Sequence, residues 1–190
     1  MYQRILVPVD GSATASRGLE EAIRVAMMSH GKLRLIHVID ELSFALAMDA
    51  SWGGTSGWIE MLREGGAKLL DEAAAQVHSA GLDVESVMFD NFAGPVDVQV
   101  VKEAVDWKAD LIVLGTHGRR GVGRIVMGSS AERILRTSPV PVLLVRTPEA
   151  QQAATEAIAA QPAARAKATP VLPPHITVSL PSAALAVERV

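Results

Sequence analysis

The chain has 190 residues, 49% of them hydrophobic and 21% charged, which is long enough for one α/β domain with a buried core. A formal net charge of −3 argues against a general nucleic-acid binder, because neutralising a duplex needs a basic face. The absence of cysteine excludes disulfides and thiolate metal sites. We expect a cytoplasmic protein, because there is neither a signal peptide nor an apolar run near the ~20 residues of a membrane span.

The first predicted unit is a strand, a turn and a helix. Residues 5–9 form a short, continuously apolar run, which is typical of a strand buried on both faces of a parallel sheet. Asp10-Gly-Ser12 predicts the turn, and Ser12 is a good cap for the helix that follows. That helix is expected to end at Gly31. Its apolar face is predicted from residues that recur at helical spacing, Leu19, Ile23, Ala26 and Met27.

Strands and helices continue to alternate after this unit. Strands are expected at 33–39, 82–89, 111–114 and 142–145, and helices at about 58–80, after Gly94-Pro95 and at about 129–137. The buried face of the helix after Gly94-Pro95 is predicted as Val98, Val101, Val105 and Ala104. Such alternation predicts a parallel sheet with right-handed crossovers and helices on both faces.

The composition changes after this domain. Residues 149–168 are rich in Ala and Gln, and residues 169–181 contain four prolines, with a candidate short strand at 176–180. We therefore predict a domain over 1–147 and an Ala/Pro-rich extension over 148–190, which we expect to be a flexible appendage.

The most informative segment is the glycine-rich loop after the fourth strand. The apolar run stops at Gly115, and Gly128-Ser-Ser130 then opens a helix. Free N–H groups and the positive end of a helix dipole attract anions at such a place. Gly123 and Gly128 have the spacing of a P-loop, but Ser129 stands where its lysine belongs, so a Walker-type NTPase is excluded. The G-x-G-x-x-G fingerprint of dinucleotide-binding domains is absent after the first strand.

The remaining pattern is G-x2-G-x9-G-S, and it resembles the nucleotide-binding signature of the universal stress protein family. The resemblance extends over about residues 1–147, through segments 2–12, 35–40 and 138–145 and the Gly94-Pro95 pair. It implies an α/β fold, a three-layer, doubly wound sheet of five parallel strands in the order 3-2-1-4-5 (adenine nucleotide alpha hydrolase-like). The ends of strands one and four then lie at the switch point where ligands bind.

The resemblance implies a set of residues that bind ATP. Asp10 would accept a hydrogen bond from adenine or ribose, or help to hold a cation, and the resemblance favours the nucleoside role. Pro8, Val9 and Val38 would form an apolar slot for adenine. Gly115 and Gly118 would let the backbone wrap the phosphates, and Arg119 is the arginine expected to reach inwards, ahead of Arg120 and Arg124. The other residues expected at the nucleotide are Leu114, Thr116, Gly128, Ser129 and Ser130. Gly128 and Ser129 would act through their N–H groups, and Ser129 and Ser130 through their hydroxyls.

Several of these residues also have purely structural interpretations. A tight βα turn alone requires glycine, Asp-Gly is a common turn, and Pro8, Val9 and Val38 are suited to a strand core. His37 is expected to be a core histidine, and His117 is not expected to act as a general base. Trp52 lies in an irregular segment over 40–57 that is either a lid over the nucleotide or ordinary packing.

The resemblance implies a nucleotide-dependent stress-response or regulatory module that binds ATP, with Mg²⁺ or Mn²⁺. It also implies a homodimer through the last strand, Val142, Leu143, Leu144 and Val145, whose apolar edge invites pairing. No metal ligands are assigned, and a regulated protein partner is expected. One alternative is a slow metal-dependent ATPase or nucleotidyl transferase, for which the sequence offers one carboxylate and no P-loop lysine. The other is a protein-interaction module that binds no nucleotide.

Overall fold

The computed structural model describes residues 2–39, 58–89, 94–116 and 128–146, which form five strands and four helices. The predicted bounds of α4 and β5 are confirmed, and the predicted strands and the helix over 58–80 differ from the structure by one or two residues at an end. In chain order the elements are β1 Arg4–Pro8, α1 Ala13–Ser29, β2 Lys32–Val38, α2 Trp58–Ser79, β3 Val84–Phe89, α3 Val96–Asp106, β4 Leu111–Gly115, α4 Ser129–Thr137 and β5 Val142–Val145.

All five strands run parallel in one sheet, in the order β3-β2-β1-β4-β5. This confirms the predicted topology. A helix returns the chain to the start of each next strand, which is the connection that parallel pairing requires. The order reverses between β1 and β4, where Ile5 is paired with Leu111. The carboxyl ends of these two strands therefore flank the topological switch point.

The core lies on both faces of the sheet. Alternate residues of the central strands, such as Ile5 and Val7, pack in one cluster with α1 and α2. The residues between them, such as Leu6, pack in a second cluster with α3 and α4. Burial on both faces explains why these strands are continuously apolar in sequence, and it confirms the three layers.

Two predicted helix faces need correction. In α3, Val98 and Val105 are 51% and 57% exposed, whereas Ala104 is buried as predicted. The other buried positions of α3 are Gln99, Val100 and Glu103. The prediction was wrong at Val98 and Val105, because the buried side of α3 includes Glu103, which pairs with Arg34 of β2, a long-range partner that helical periodicity does not reveal. In α1, Met27 is likewise exposed, whereas Leu19 and Ala26 are buried as expected.

A charged cluster surrounds Trp107 at the amino-terminal edge of the sheet. The Arg34 guanidinium lies 4.7 Å from the ring centroid, and the Lys32 ammonium lies 5.7 Å from it. Glu85 on β3 pairs with both cations. Hydrogen bonds from Lys32 and Arg34 lower the pKa of Glu85 from 4.5 to about 2. The charge cluster therefore lies at the opposite end of the strands from the switch point, and we interpret it as structural.

Two predicted segments fall outside the described residues. They are the Trp52 lid in segment 40–57, and the extension over 148–190 with its strand at 176–180. Across 2–39, 58–89, 94–116 and 128–146, no helix is long and apolar enough to cross a membrane.

Candidate ligand-binding site

An open cavity of about 110 Å³ lies at the carboxyl ends of β1 and β4. It occupies the switch point of the sheet, where open α/β sheets bind their ligands. Four segments carry the predicted site residues that line it: the ends of β1, β2 and β4, and the start of α4. These residues are Pro8, Val9, Asp10, Val38, Leu114, Gly115, Gly128 and Ser130.

Two further predicted residues are described by the structure and do not line the cavity. Thr116 follows β4 and is buried, and Ser129 is the exposed first residue of α4. Gly118 and Arg119 lie outside the described residues, as do His117, Arg120 and Arg124.

Helices α3 and α4 contribute lining residues that sequence reasoning missed. Val96 and Val100 are one turn apart on α3, and Ala131 and Ile134 have the corresponding spacing on α4. The signal available in the sequence was their position, because these apolar residues lie near the start of helices that follow the carboxyl end of a strand. These residues, with Ile36 and Val38 from β2, give the cavity a largely apolar lining. Such a lining is suited to a flat apolar ring.

Hydrogen bonds to the main chain hold Val9, one of the lining residues, in place. The Val9 N–H donates to the Ile36 carbonyl at 2.9 Å. Nδ1 of His37 donates to the Val9 carbonyl at 2.8 Å, since a carbonyl oxygen only accepts. His37 is 4% exposed, which confirms that it is a core histidine. Its role is to fix the end of β1, which leads into Asp10.

The amino-terminal end of α4 also lies at the cavity. The first intrahelical hydrogen bond is from the Glu132 N–H to the Gly128 carbonyl, at 2.9 Å. The N–H groups of residues 129–131 therefore have no acceptor inside the helix, and the cap, Gly128, has no side chain to offer one. With the positive end of the helix dipole, these groups are suited to an anion.

The N–H of Gly128 is not among these donors. It donates to the carbonyl of Thr116 at 2.8 Å, and the Thr116 N–H in turn donates to the Val145 carbonyl at 2.9 Å. The expected role of the Gly128 N–H at a phosphate is therefore taken by a contact within the chain. This contact ties the start of α4 to the end of β4. The N–H groups without an acceptor inside the helix are those of the next three residues, of which Ser130 and Ala131 line the cavity.

Helix α1 starts differently from α4. Ser12 caps it by accepting the Ala15 N–H at 3.1 Å, as predicted, and its Oγ also lies 3.1 Å from the Thr14 hydroxyl. The Ser12 N–H donates to Oδ1 of Asp10 at 2.9 Å. The side chain of Asp10 therefore forms the turn that the structural interpretation predicts, and it lines the cavity as well. Of the helices that follow β1 and β4, α1 therefore has a side-chain cap at its start and α4 has none.

The described residues provide no ready-made metal cage. Within 2–39, 58–89, 94–116 and 128–146, no three His, Asp or Glu side chains form a group that would hold a metal ion. Asp10 is the one acidic residue among the described residues that line the cavity.

Comparison with known proteins identifies the family. Residues 1–146 match the model of the Universal stress protein family. The chain belongs to the universal stress protein family. Universal stress protein MJ0531 of Methanocaldococcus jannaschii is 33% identical over 150 residues, which cover 78% of this chain and 85% of that protein. This confirms the family that the glycine pattern and the strand motifs predict.

Solved structures support the same assignment. The structure of hypothetical protein MJ0577 is 26% identical with a TM-score of 0.65, and the match covers 77% of this chain and 97% of that one. A universal stress protein solved in complex with cAMP is 25% identical with a TM-score of 0.54, covering 76% and 97%. The universal stress proteins among these structures have the adenine nucleotide alpha hydrolase-like fold, so the predicted fold is confirmed.

In this universal stress protein, Gly115 also has a packing role that its sequence interpretation did not include. A Cβ on Gly115 would lie 2.5 Å from the carbonyl carbon and oxygen of Thr14. Both atoms are backbone, so neither moves aside easily. The contact between β4 and the first turn of α1 therefore requires glycine at this position, whether or not a ligand approaches it.

Proposed function

We propose that the cavity binds an adenine nucleotide, with the base against the apolar lining residues and the phosphates at the start of α4. One observation carries the proposal, which is that the uncapped N–H groups of residues 129–131 adjoin an apolar cavity at the switch point. This combination matches a nucleotide, which has a flat ring at one end and an anion at the other. The related universal stress protein solved with cAMP supports an adenine nucleotide as the ligand class.

The full ligand that we propose is ATP. Pro8, Val9 and Val38 would contact adenine, and Asp10 would accept a hydrogen bond from the ribose. The hydroxyls of Ser129 and Ser130 would add to the N–H donors, and Leu114, Gly115 and Thr116 would carry the strand end against which the phosphates lie. Gly118 and Arg119 complete the set through the glycine pattern of the sequence. Mg²⁺ or Mn²⁺ would bind mainly through the phosphates, because Mg²⁺ seldom uses an all-protein cage.

The function proposed for the bound state is regulatory, with ATP as a signal to a partner or through a homodimer in the cytoplasm. Strand β5 pairs with β4 on one side, and no strand among the described residues pairs with its other edge. All four residues of β5 are half-buried. An apolar strand with an open edge is suited to pairing with a second copy.

Slow hydrolysis or nucleotidyl transfer is the second candidate. Asp10 is the observation in its favour, since it lines the cavity and is the one acid there among the described residues. Catalysis of this kind requires a group that orients or deprotonates the attacking water. Metal-dependent phosphate release that Asp10→Ala abolishes, with binding retained, would establish this activity.

A titration series tests the proposal. The full chain is titrated calorimetrically with adenosine, AMP, ATP and GTP, each with and without Mg²⁺, after any nucleotide released by denaturing the purified protein has been identified. We expect AMP and ATP to bind more tightly than adenosine, because their phosphates engage α4, and ATP more tightly than GTP. No binding of any adenine nucleotide, with no shift in Tm, would refute the proposal and leave a protein-interaction module.

A further inference from the structure

Gly18, in the interior of α1, lies against the end of β4. A Cβ on Gly18 would lie 3.2 Å from the Gly115 nitrogen and 3.4 Å from the Leu114 carbonyl carbon, both backbone atoms. Contacts this short require the strand to move by a few tenths of an ångström. Gly18 is buried, yet it does not line the cavity.

The contact is reciprocal. The Thr14 backbone leaves no room for a Cβ on Gly115. Thr14 lies one turn before Gly18 on the same face of α1. Two glycines, one on each element, therefore let the helix and the strand pack backbone against backbone. This contact fixes how closely the end of β4 can approach α1.

A glycine in a helix interior is costly unless packing or function requires it, because alanine at the same place is about 0.5–1 kcal/mol more favourable. The chain contains a matched case. Gly65 lies in α2, and a Cβ added to it meets nothing within 4 Å. Gly18→Ala and Gly65→Ala bring the same gain in helix propensity, but only Gly18→Ala places a Cβ in close contact with the β4 backbone.

The end of β4 is linked in turn to the proposed phosphate donors. Thr116 follows Gly115 directly, and its carbonyl accepts the N–H of Gly128, the residue before α4. A displacement at Gly115 is therefore passed by one peptide and one hydrogen bond to the start of α4. Through this chain of contacts, the face of α1 at Gly18 determines where the N–H groups of residues 129–131 lie.

We infer that Gly18 is a positioning residue of the nucleotide site, which holds the end of β4 where α4 can engage the phosphates. The inference rests on the proposed function. It deepens that proposal by naming a residue that touches no ligand and controls recognition of the phosphates alone.

The experiment compares Gly18→Ala with Gly65→Ala in the full chain. For each variant and the wild type, calorimetry gives the affinities for ATP and adenosine, and their ratio is the readout. The ratio does not depend on the folded fraction, because that fraction scales both apparent affinities equally. We expect Gly18→Ala to lower the ATP-to-adenosine ratio roughly tenfold, as when one hydrogen bond to a charged phosphate is weakened, and Gly65→Ala to leave it unchanged.

A second measurement records the movement without ligand. Amide resonances of Gly115, Thr116 and Gly128 are expected to shift in Gly18→Ala and not in Gly65→Ala. An unchanged affinity ratio in Gly18→Ala would overturn the inference, while ATP binding by the wild type would leave the proposed function standing. A wild-type chain that binds no ATP would instead refute the proposed function, and the inference with it.

Discussion

Ser129 is the first residue of α4, and replacing it with proline tests its N–H group almost in isolation. Proline has no N–H, and its fixed φ suits the first position of a helix. The residue before a proline must be extended, and Gly128 already has φ −59° and ψ 143°. Ser129→Pro is therefore expected to fold normally. Ser129→Ala is the matched control, because it removes the hydroxyl and keeps the N–H.

The size of the effect follows from the bond that is lost. A hydrogen bond to a charged group contributes about 1.5–3 kcal/mol, which corresponds to about 10- to 150-fold in affinity. We expect Ser129→Pro to bind ATP and AMP more weakly than Ser129→Ala by a factor in this range. Adenosine, which has no phosphate, should bind both variants equally.

Calorimetric titration of the two variants with these three ligands provides the measurement, and circular dichroism verifies the fold. Equal affinities of the two variants for ATP and AMP would show that the Ser129 N–H does not contact a phosphate. The argument from the uncapped end of α4 would then be refuted, even if the protein binds nucleotides elsewhere.

Three further predictions concern packing, assembly and pH. Gly115→Ala should lower the free energy of unfolding by about 1–3 kcal/mol in urea titrations, because its Cβ would overlap the Thr14 backbone; wild-type stability would contradict the packing argument. Val142→Lys and Leu143→Lys, one on each face of β5, should each convert a dimer to monomers in sedimentation velocity; if both sediment like the wild type, the contact between copies lies elsewhere. Glu85 has a lowered pKa, so its stabilising contribution is complete above pH 4.5 and is lost as the pH falls towards about 2. In acid titrations the wild type should lose this stabilising contribution, and Glu85→Gln should not show that loss. Identical pH dependence of stability in the two proteins would refute the assignment.

Local signals in the sequence were sufficient for the elements and their order. Helix α4 was predicted with the bounds that the structure has, because Gly128 precedes it and Ser138-Pro139 follows it. The strand order followed from the family resemblance, and Pro8, Val9, Asp10 and Val38 line one cavity as that order requires.

Features that depend on distant parts of the chain could not be predicted. The α3 sequence has apolar residues on two sides, and the buried side is the one where Val100 and Ala104 pack in the core and Glu103 pairs with Arg34 of β2. The N–H of Gly128 is bonded to Thr116 across the glycine loop, so its unavailability to a ligand is a tertiary property. Gly18 is an ordinary helix glycine in the sequence, and only the approach of β4 gives it a role.

The most direct test of the account is a crystal structure of the full chain grown with ATP and Mg²⁺. We expect the adenine base to lie between β2 and α3, beside Val38 and Val96. We expect phosphate oxygens to lie about 2.7–3.2 Å from the main-chain nitrogens of residues 129–131. A nucleotide bound with its phosphates away from α4 would contradict the central claim, and so would a cavity that stays empty at saturating ATP.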